Sequence, residues 1–478
     1  MAKFYLTTTL PYVNAEPHIG FAMEIIQADV IARYHRILGD DVVFNFGTDE
    51  HGVKIYEKAL EAGQTPQEYC DEYAVKFEAL KSALNLSYTN FIRTTDKHHI
   101  TAAQTFWKLC LENGDIYKKQ YKIKYCTGCE LEKTDSELVD GRCPLHPKQE
   151  IQIYEEENYF FKFSKYQKEL LDLYKKNPEF VIPKSKLNEI YNFVEQGLQD
   201  FSISRLKAKM PWGIDVPNDP DHVMYVWFDA LINYISTIGW PDDTKQFKAY
   251  WPVVQFAGKD QVRQQAAMWQ AMLMSAGLPS SKQIFIHGFL TVDGQKISKS
   301  LGNTINPIEV TEQYGTDALR YYLLAKLHPW EDSDFSWEKF KLAYNADLAN
   351  GLGNLIARVA KLCETSDYTH MGATNQQIEH SIADSVYKKA LEEFRFPDAV
   401  ASLWQQIGEL DKYINDEQPW ILAKKDTKRL VSVLAHCVDR IQEIGILLEP
   451  FMPETSQKIL EQFKGPKITA QKPLFPRL

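Results

Sequence analysis

At 478 residues and 55.2 kDa, with 44% hydrophobic and 25% charged residues, the chain has the make-up of a globular protein large enough for about three domains. No apolar run approaches the roughly 20 residues that cross a bilayer, and "MAKFYLTTTLPYVNAEPH" has neither a signal core nor an Arg-rich transit pattern; seven cysteines do not make a disulfide framework. A membrane partner is therefore not expected and the cytoplasm is the expected compartment. The net charge of −10 is uneven: residues 345–478 hold 16 Lys and Arg against 18 Asp and Glu, with a basic cluster at Lys424, Lys425, Lys428 and Arg429 that suits either a phosphate backbone or a solvated helix face.

The chain opens with the strand-like "KFYLTTTL", an amphipathic run from His18 to about Leu38, the strand-like "DDVVFNFGTDEHG" and a helical run over 65–84. This alternation predicts βαβ units and a parallel sheet, with ligands beyond the carboxyl ends of the strands, where "LPYVNAEPHIG" and "GTDEHG" fall. Residues 116–210 break the rhythm with clustered Cys, Lys and Glu and the short strands "NYFFKF" and "EFVIP", which predicts an insertion between two halves of one sheet. "HVMYVWFDA", "VVQFAGKD" and "QIFIHGFLTV" resume the alternation as strands. From Asn345 to Leu478, "DLANGLGNLIARVAKL", "SVYKKALEEF", "AVASLWQQIGELDKYI" and "RLVSVLAHCVDRIQEIGILL" carry apolar residues at three- and four-residue spacing, which predicts a helix bundle. The expected organisation is a Rossmann-type α/β catalytic domain in two halves, 1–115 and 211–344, split by a connective insertion, 116–210, and followed by an α-helical domain, 345–478.

Three stretches carry chemistry. At the first strand-to-helix junction, Pro17 and His18 fit ordinary helix-start grammar, but they also fit an anion site in which free backbone N–H groups and the helix dipole meet a phosphate and Gly20 permits close approach. In "CTGCELEKTDSELVDGRCPLH", Cys126 and Cys129, then Cys143 and His146, form two pairs with two intervening residues each; three thiolates and one imidazole make a closed, structural zinc site, one per chain. In "DGQKISKS", Lys296 and Lys299 with Ser298 and Ser300 on a glycine-bearing loop could clamp a polyphosphate.

Taken in order, "HIGF", the Cys-rich insertion, "KISKS" and the helical tail resemble class I aminoacyl-tRNA synthetases, whose signatures are His-Ile-Gly-His and Lys-Met-Ser-Lys-Ser. Within that class the chain resembles the methionyl-tRNA synthetase family through "LPYVNAEPHIG", "FGTDEHG", "VMYVWFDALINYI", "FAGKD", "HGFLTVDGQKISKS", "NADLANGLGNLIAR" and "DEQPWILAKKD", which together extend over nearly the whole chain. The resemblance implies activation of methionine by ATP, with Mg²⁺ accompanying the nucleotide, transfer to tRNA(Met), and a monomer. It implies His18, Gly20, Lys296 and Lys299 in catalysis, with Asn14, Gly258, Asp260 and Ser298 beside them around ATP. It places Leu10, Tyr12, Asp49, Trp227, Tyr234 and Gln265 around methionine, Asp49 and the Leu10 backbone on the ammonium. Asn354, Arg358, Pro419 and Trp420 would read a CAU anticodon, although burial between helices is the ordinary role for such a tryptophan.

Two residues depart from the family pattern. Phe21 stands where the signature has its second histidine, and Gln265 where many members have a histidine in the methionine pocket; glutamine can donate and accept. Two other readings are a synthetase for another amino acid, such as cysteine or valine, and a non-catalytic tRNA-binding homologue. "YVWFDALINY" and the anticodon matches count against the first, and His18, Lys296, Lys299 and Asp49 against the second. An insertion of about 95 residues is too short to hold a hydrolytic editing domain beside the knuckle.

Overall fold

The structure, a computed structural model, describes residues 1–129, 131–133, 137–297, 302–370 and 386–478. The first half supplies β1 (Lys3–Thr7), β2 (Asp41–Thr48) and β3 (Asn90–Arg93), with β1 and β2 buried over most of their length, as strands covered by helices on both faces must be. The insertion is built on the long antiparallel pair β4 (Ile116–Cys126) and β6 (Gln152–Phe161), with β5 (Leu131–Glu132) on the far side of β4. After it come β7 (Val181–Ile182), then β8 (Phe201–Ser202), which pairs with β6, and a small antiparallel sheet of β9 (Ser204–Leu206), β10 (Asp215–Val216) and β11 (Asp219–Met224). The catalytic half ends with β12 (Val254–Gly258), β13 (Gln283–His287), β14 (Leu290–Val292), β15 (Gln295–Lys296) and β16 (Ser333–Phe335).

The main sheet has six strands in the order β3-β2-β1-β12-β13-β7, every neighbouring pair parallel. Chain direction across the sheet reverses between β1 and β12, and a crevice beyond their carboxyl ends is where such sheets hold ligands. Two strand expectations change. "EFVIP" is not a strand of the insertion: Val181 pairs with Ile284, so β7 extends the catalytic sheet. "HVMYVWFDA" is not a strand of the parallel sheet: it begins in antiparallel β11 and turns helical at Val226–Ala230. A short apolar run carries no information about its partner or direction, and over so few residues a buried strand and a buried helix look alike.

Among the described residues helices dominate from Trp337 onward, with the spacing predicting them from Asn345: Asn354–Thr365, Phe396–Glu417, Pro419–Lys425, Thr427–Leu448 and Pro453–Phe463, with a wider π-helical stretch at Tyr344–Gly353. These helices share one apolar core with the sheet: Phe285 of β13 lies 5.0 Å from Phe394 and 6.1 Å from Phe396 between ring centroids. The seam also contains buried charge. Asp29 accepts from Arg33 at 2.7 Å and Arg320 at 2.8 Å, while Arg33 reaches Glu449 and Arg320 donates to the carbonyls of Leu84, Pro450 and Phe451. No described helix is long and apolar enough to cross a membrane.

Candidate active site

A cavity of about 660 Å³ opens beyond the carboxyl ends of β1, β2, β12 and β13. Every described residue expected at ATP or methionine lines it: Leu10, Tyr12, Asn14, His18, Gly20, Asp49, Trp227, Tyr234, Gly258, Asp260, Gln265 and Lys296. Ser298 and Lys299 lie outside the described residues.

At the helix start the anion reading has to change in its detail. His18 is the N-cap of Ile19–Ile37, and its Nδ1 accepts the Gly20 amide at 3.1 Å. The Ile19 amide donates to the Ile305 carbonyl and the Phe21 amide to the His18 carbonyl, each at 3.0 Å, so these three N–H groups are engaged within the protein. A Cβ on Gly20 would stand 2.9 Å from His18 Cε1; the glycine makes room for the imidazole. With Nδ1 accepting, the neutral ring bears its proton on Nε2. Phe21 lies tilted against His18, ring centroids 4.4 Å apart, and meets Phe77 edge-on at 5.9 Å, so where the signature has a second histidine this chain has an aromatic wall.

The part of the cavity around Asp49 and Gln265 is tightly interlocked. The Asp49 amide donates to the Pro11 carbonyl at 3.0 Å and the Val13 amide to the Asp49 carbonyl at 3.2 Å, joining the turns after β1 and β2. Beside it, buried Glu50 takes two hydrogen bonds from Arg93, at 2.6 and 2.9 Å. Gln265 donates to the Tyr234 hydroxyl and accepts from Gln255 Nε2, both at 2.8 Å. Burial pushes the Tyr234 phenol well above its ordinary pKa, so it stays neutral. Trp227 Nε1 is buried without a hydrogen-bond partner among the described residues.

At the carboxyl end of β13, His287 Nε2 lies 2.7 Å from Glu24 Oε2 and Nδ1 lies 2.7 Å from the Gly288 carbonyl, while Glu24 Oε1 accepts from the Thr9 amide and hydroxyl. Burial alone would lower the His287 pKa, but its hydrogen bond to Glu24, the Glu24 charge and the Gly288 carbonyl outweigh it and raise the value above 6.5. The sequence reading did not single out this pair. The available signal was a histidine at the carboxyl end of a parallel strand, in "IHGFLTV". Desolvation also raises the Asp260 carboxyl, which opens into the cavity. Lys296 is carried on β15, turned back on β14 at Asp293 and Gly294, with the Gly294 amide held by Asp334 at 2.7 Å.

Cys126, Cys129, Cys143 and His146 converge, their ligand atoms all within 4.8 Å of one another. Sγ of Cys129 and Cys143 are 3.4 Å apart, and His146 Nδ1 lies 3.2 to 3.9 Å from the three sulfurs. Tetrahedral zinc with the usual Zn–S and Zn–N lengths needs edges of roughly 3.5–3.8 Å, so the donor set fits a metal ion. Gly128 completes the cradle: a Cβ there would lie 2.2 Å from His146 Cγ. The knuckle abuts the cavity, since Cys129 lines it and Lys54 Nζ donates to the Gly128 carbonyl at 3.1 Å.

In the helical domain, Asn354 and Arg358 are one turn apart on Asn354–Thr365, and Pro419 opens the next short helix, Pro419–Lys425. The Arg358 guanidinium lies 5.1 Å from the Trp420 ring centre and donates to Asp411 at 2.9 Å and Asn415 at 2.6 Å. Trp420 is 43% exposed, which rules out burial between helices. Asn354 does not join that cluster; it lines a neighbouring cleft with Asn345, Asn350 and Arg477.

A split parallel sheet, a cavity at its reversal point and a trailing helical domain define a class I aminoacyl-tRNA synthetase. Residues 4–153 and 147–360 match the family model of tRNA synthetases class I (M), and 380–477 match that of the anticodon-binding domain of tRNA ligase. Among curated proteins the chain is 42% identical over 474 residues to the methionine–tRNA ligase of Thermotoga maritima, covering 96% of this chain and 75% of the relative. Among solved structures it is similar to Mycobacterium tuberculosis methionyl-tRNA synthetase in complex with methionyl-adenylate, at TM-score 0.93 and 36% identity over 100% of both chains. The apo form of that enzyme matches at TM-score 0.85 and 32% identity, over 100% of this chain and 98% of the other. The chain belongs to the methionine–tRNA ligases, ATP-dependent members of the class I synthetases.

Proposed function

We propose that this chain binds methionine and ATP in the cavity, joins them as methionyl-adenylate with release of pyrophosphate, and passes the methionyl group to the 2′-hydroxyl of the terminal adenosine of tRNA(Met), releasing AMP. The methionine carboxylate is itself the nucleophile, so the protein's work is positioning and charge stabilisation. Asp49 and the Leu10 carbonyl hold the ammonium, and Tyr12, Trp227, Tyr234 and Gln265 enclose the thioether, whose polarizable sulfur suits aromatic edges. Asn14, Gly258 and Asp260 bind the nucleoside side of ATP. His18, beside Gly20, donates from Nε2 toward the phosphates, and Lys296, Lys299 and Ser298 close over the departing pyrophosphate. Arg358, Trp420, Pro419 and Asn354 receive the CAU anticodon loop, where an exposed indole beside a guanidinium suits unstacked bases.

Segments 1–115 and 211–344 serve as the catalytic halves, 116–210 as the connective insertion and 345–478 as the anticodon-binding domain. One structural zinc on Cys126, Cys129, Cys143 and His146 holds the knuckle against the cavity; magnesium enters with ATP through its phosphates. The enzyme works as a cytoplasmic monomer. What carries this reading is the meeting in one cavity of the Asp49 turn, the Gln265–Tyr234 pair, the His18 cap and Lys296. Pyrophosphate exchange with each amino acid supplied singly tests it: exchange with methionine is expected, and exchange with cysteine or valine in its place, or with none, would overturn it.

A further inference from the structure

A cluster of buried ionisable side chains stands outside the cavity lining and takes no part in the chemistry above. Asp229 is fully buried, and each of its oxygens meets one imidazole: Oδ2 lies 2.7 Å from His51 Nδ1 and Oδ1 lies 2.8 Å from His99 Nε2. His99 Nδ1 is 3.1 Å from the Ser236 hydroxyl. With protons on His51 Nδ1 and His99 Nε2, each ring donates to the carboxylate, and His99 Nδ1 meets the Ser236 hydroxyl. Burial alone would raise the Asp229 pKa; the two facing imidazoles, His51 foremost, outweigh it and hold the carboxyl below its ordinary value. Asp229 is therefore a buried anion with both oxygens satisfied.

The cluster joins elements that flank the methionine subsite. His51 follows Asp49 by two residues in the turn after β2, and Asp229 follows Trp227 by two residues in helix Val226–Ala230. The Asp49 turn is attached to β3 through Glu50 and Arg93 and to the β1 turn through Pro11 and Val13. The His51–Asp229 bond attaches it to the helix that carries Trp227, and His99 anchors the same carboxylate to helix Lys97–Glu112. The His51 ring also packs on Trp212, centroids 5.5 Å apart, whose indole donates to the Glu50 carbonyl at 2.6 Å.

We infer that Asp229 is a positioning residue for methionine: through His51 it fixes the separation between Asp49, at the ammonium, and Trp227, at the thioether. A small substrate must be met at its ammonium and its thioether at once, so slippage between the two elements loses affinity without altering either contact residue. The inference rests on the methionine site proposed above.

His51→Phe removes the donor to Asp229 while keeping a ring against Trp212, and His51→Gln restores a donor. Methionine Kd by equilibrium dialysis is read beside the KM for ATP in pyrophosphate exchange. His51→Phe is expected to weaken methionine about fivefold, with ATP KM within about twofold of wild type, and His51→Gln to recover most of the loss. Asp229→Asn, which keeps the size but cannot accept from both imidazoles, should show the same selective loss. Equal loss of methionine and ATP affinity in His51→Phe, unrecovered by glutamine, would overturn the inference as general destabilisation. Asp49→Asn is measured alongside. If it weakens methionine and His51→Phe does not, the positioning role is wrong and the site stands; if Asp49→Asn leaves methionine Kd unchanged, the site reading fails and the inference falls with it.

Discussion

At the methionine end of the cavity, Gln265, Tyr234 and Gln255 are buried and bonded to one another; in the helical domain, Trp420 stands 43% exposed with Arg358 beside it. In the proposed function the first surface receives a small substrate that brings little contact area, and polar atoms aligned in advance suit it, the ordering cost being met at folding. In the same proposal the second receives a nucleic-acid loop that brings its own stacking bases, for which an open platform with a few directed donors suffices. One site is specific through enclosure, the other through display.

Substitutions can break this contrast, beginning with the largest effect. Cys129→Ser should lose close to one equivalent of zinc and destabilise the insertion, because a structural metal contributes directly to folding. Since Cys129 borders the cavity and not the Trp420 patch, the damage should fall on adenylate formation, with anticodon discrimination kept. Metal analysis that finds full zinc content would count against the assignment. Next, Lys299→Ala should slow single-turnover adenylate formation at least tenfold, on the order of 1.4 kcal/mol, with methionine Kd unchanged. An unaltered rate removes Lys299 from the pyrophosphate clamp.

On the displayed surface, Trp420→Ala should cost about 1 kcal/mol in tRNA recognition, at the low end of base stacking because the ring is half open to water. Pyrophosphate exchange, which needs no tRNA, should stay near normal. Aminoacylation of tRNA with a CAU anticodon against the same tRNA with that triplet changed separates the roles: equal loss on both would make Trp420 a support of the fold.

The smallest effect concerns pH. The His287 pKa is raised above 6.5 in the folded protein, so the stability contributed by its pairing with Glu24 is complete below the unfolded value and fades as pH rises through the folded one. The thermal midpoint of wild type should exceed that of His287→Gln most at about pH 6 and converge toward it by about pH 9. A margin that widens with rising pH would show that the sign is wrong.

What was legible in the sequence follows the same division. The segments "LPYVNAEPHIG" and "GTDEHG" could be placed because parallel sheets hold ligands at strand carboxyl ends and local apolar runs reveal such strands, whereas Asp49 and Gly258 were singled out through the family resemblance. The cysteine spacing was sufficient for the knuckle, because both chelating pairs are local. His287 and Glu24 were illegible: 263 residues separate them, and neither carries a local signal of the other. The same distance hid β7, whose two residues gain meaning by lying against β13. At the helix start the grammar was readable but not its outcome, since only coordinates show that His18 itself takes the Gly20 amide. Trp420 was undecidable from periodicity, which marks apolar positions but not which of them a neighbour covers.

The seam of Asp29, Arg33, Arg320 and Glu449 ties the sheet to the helical part. Asp29 lies on the helix that begins at His18, and Arg320 clasps the carbonyls of Pro450 and Phe451 where the helical domain turns back, so catalytic and helical parts are clamped by groups that salt screens weakly. Such a clamp makes a riveted joint of the seam: swinging the helical part against the sheet would pull a paired charge from its partner and leave it buried alone, so the two parts are expected to move as one body.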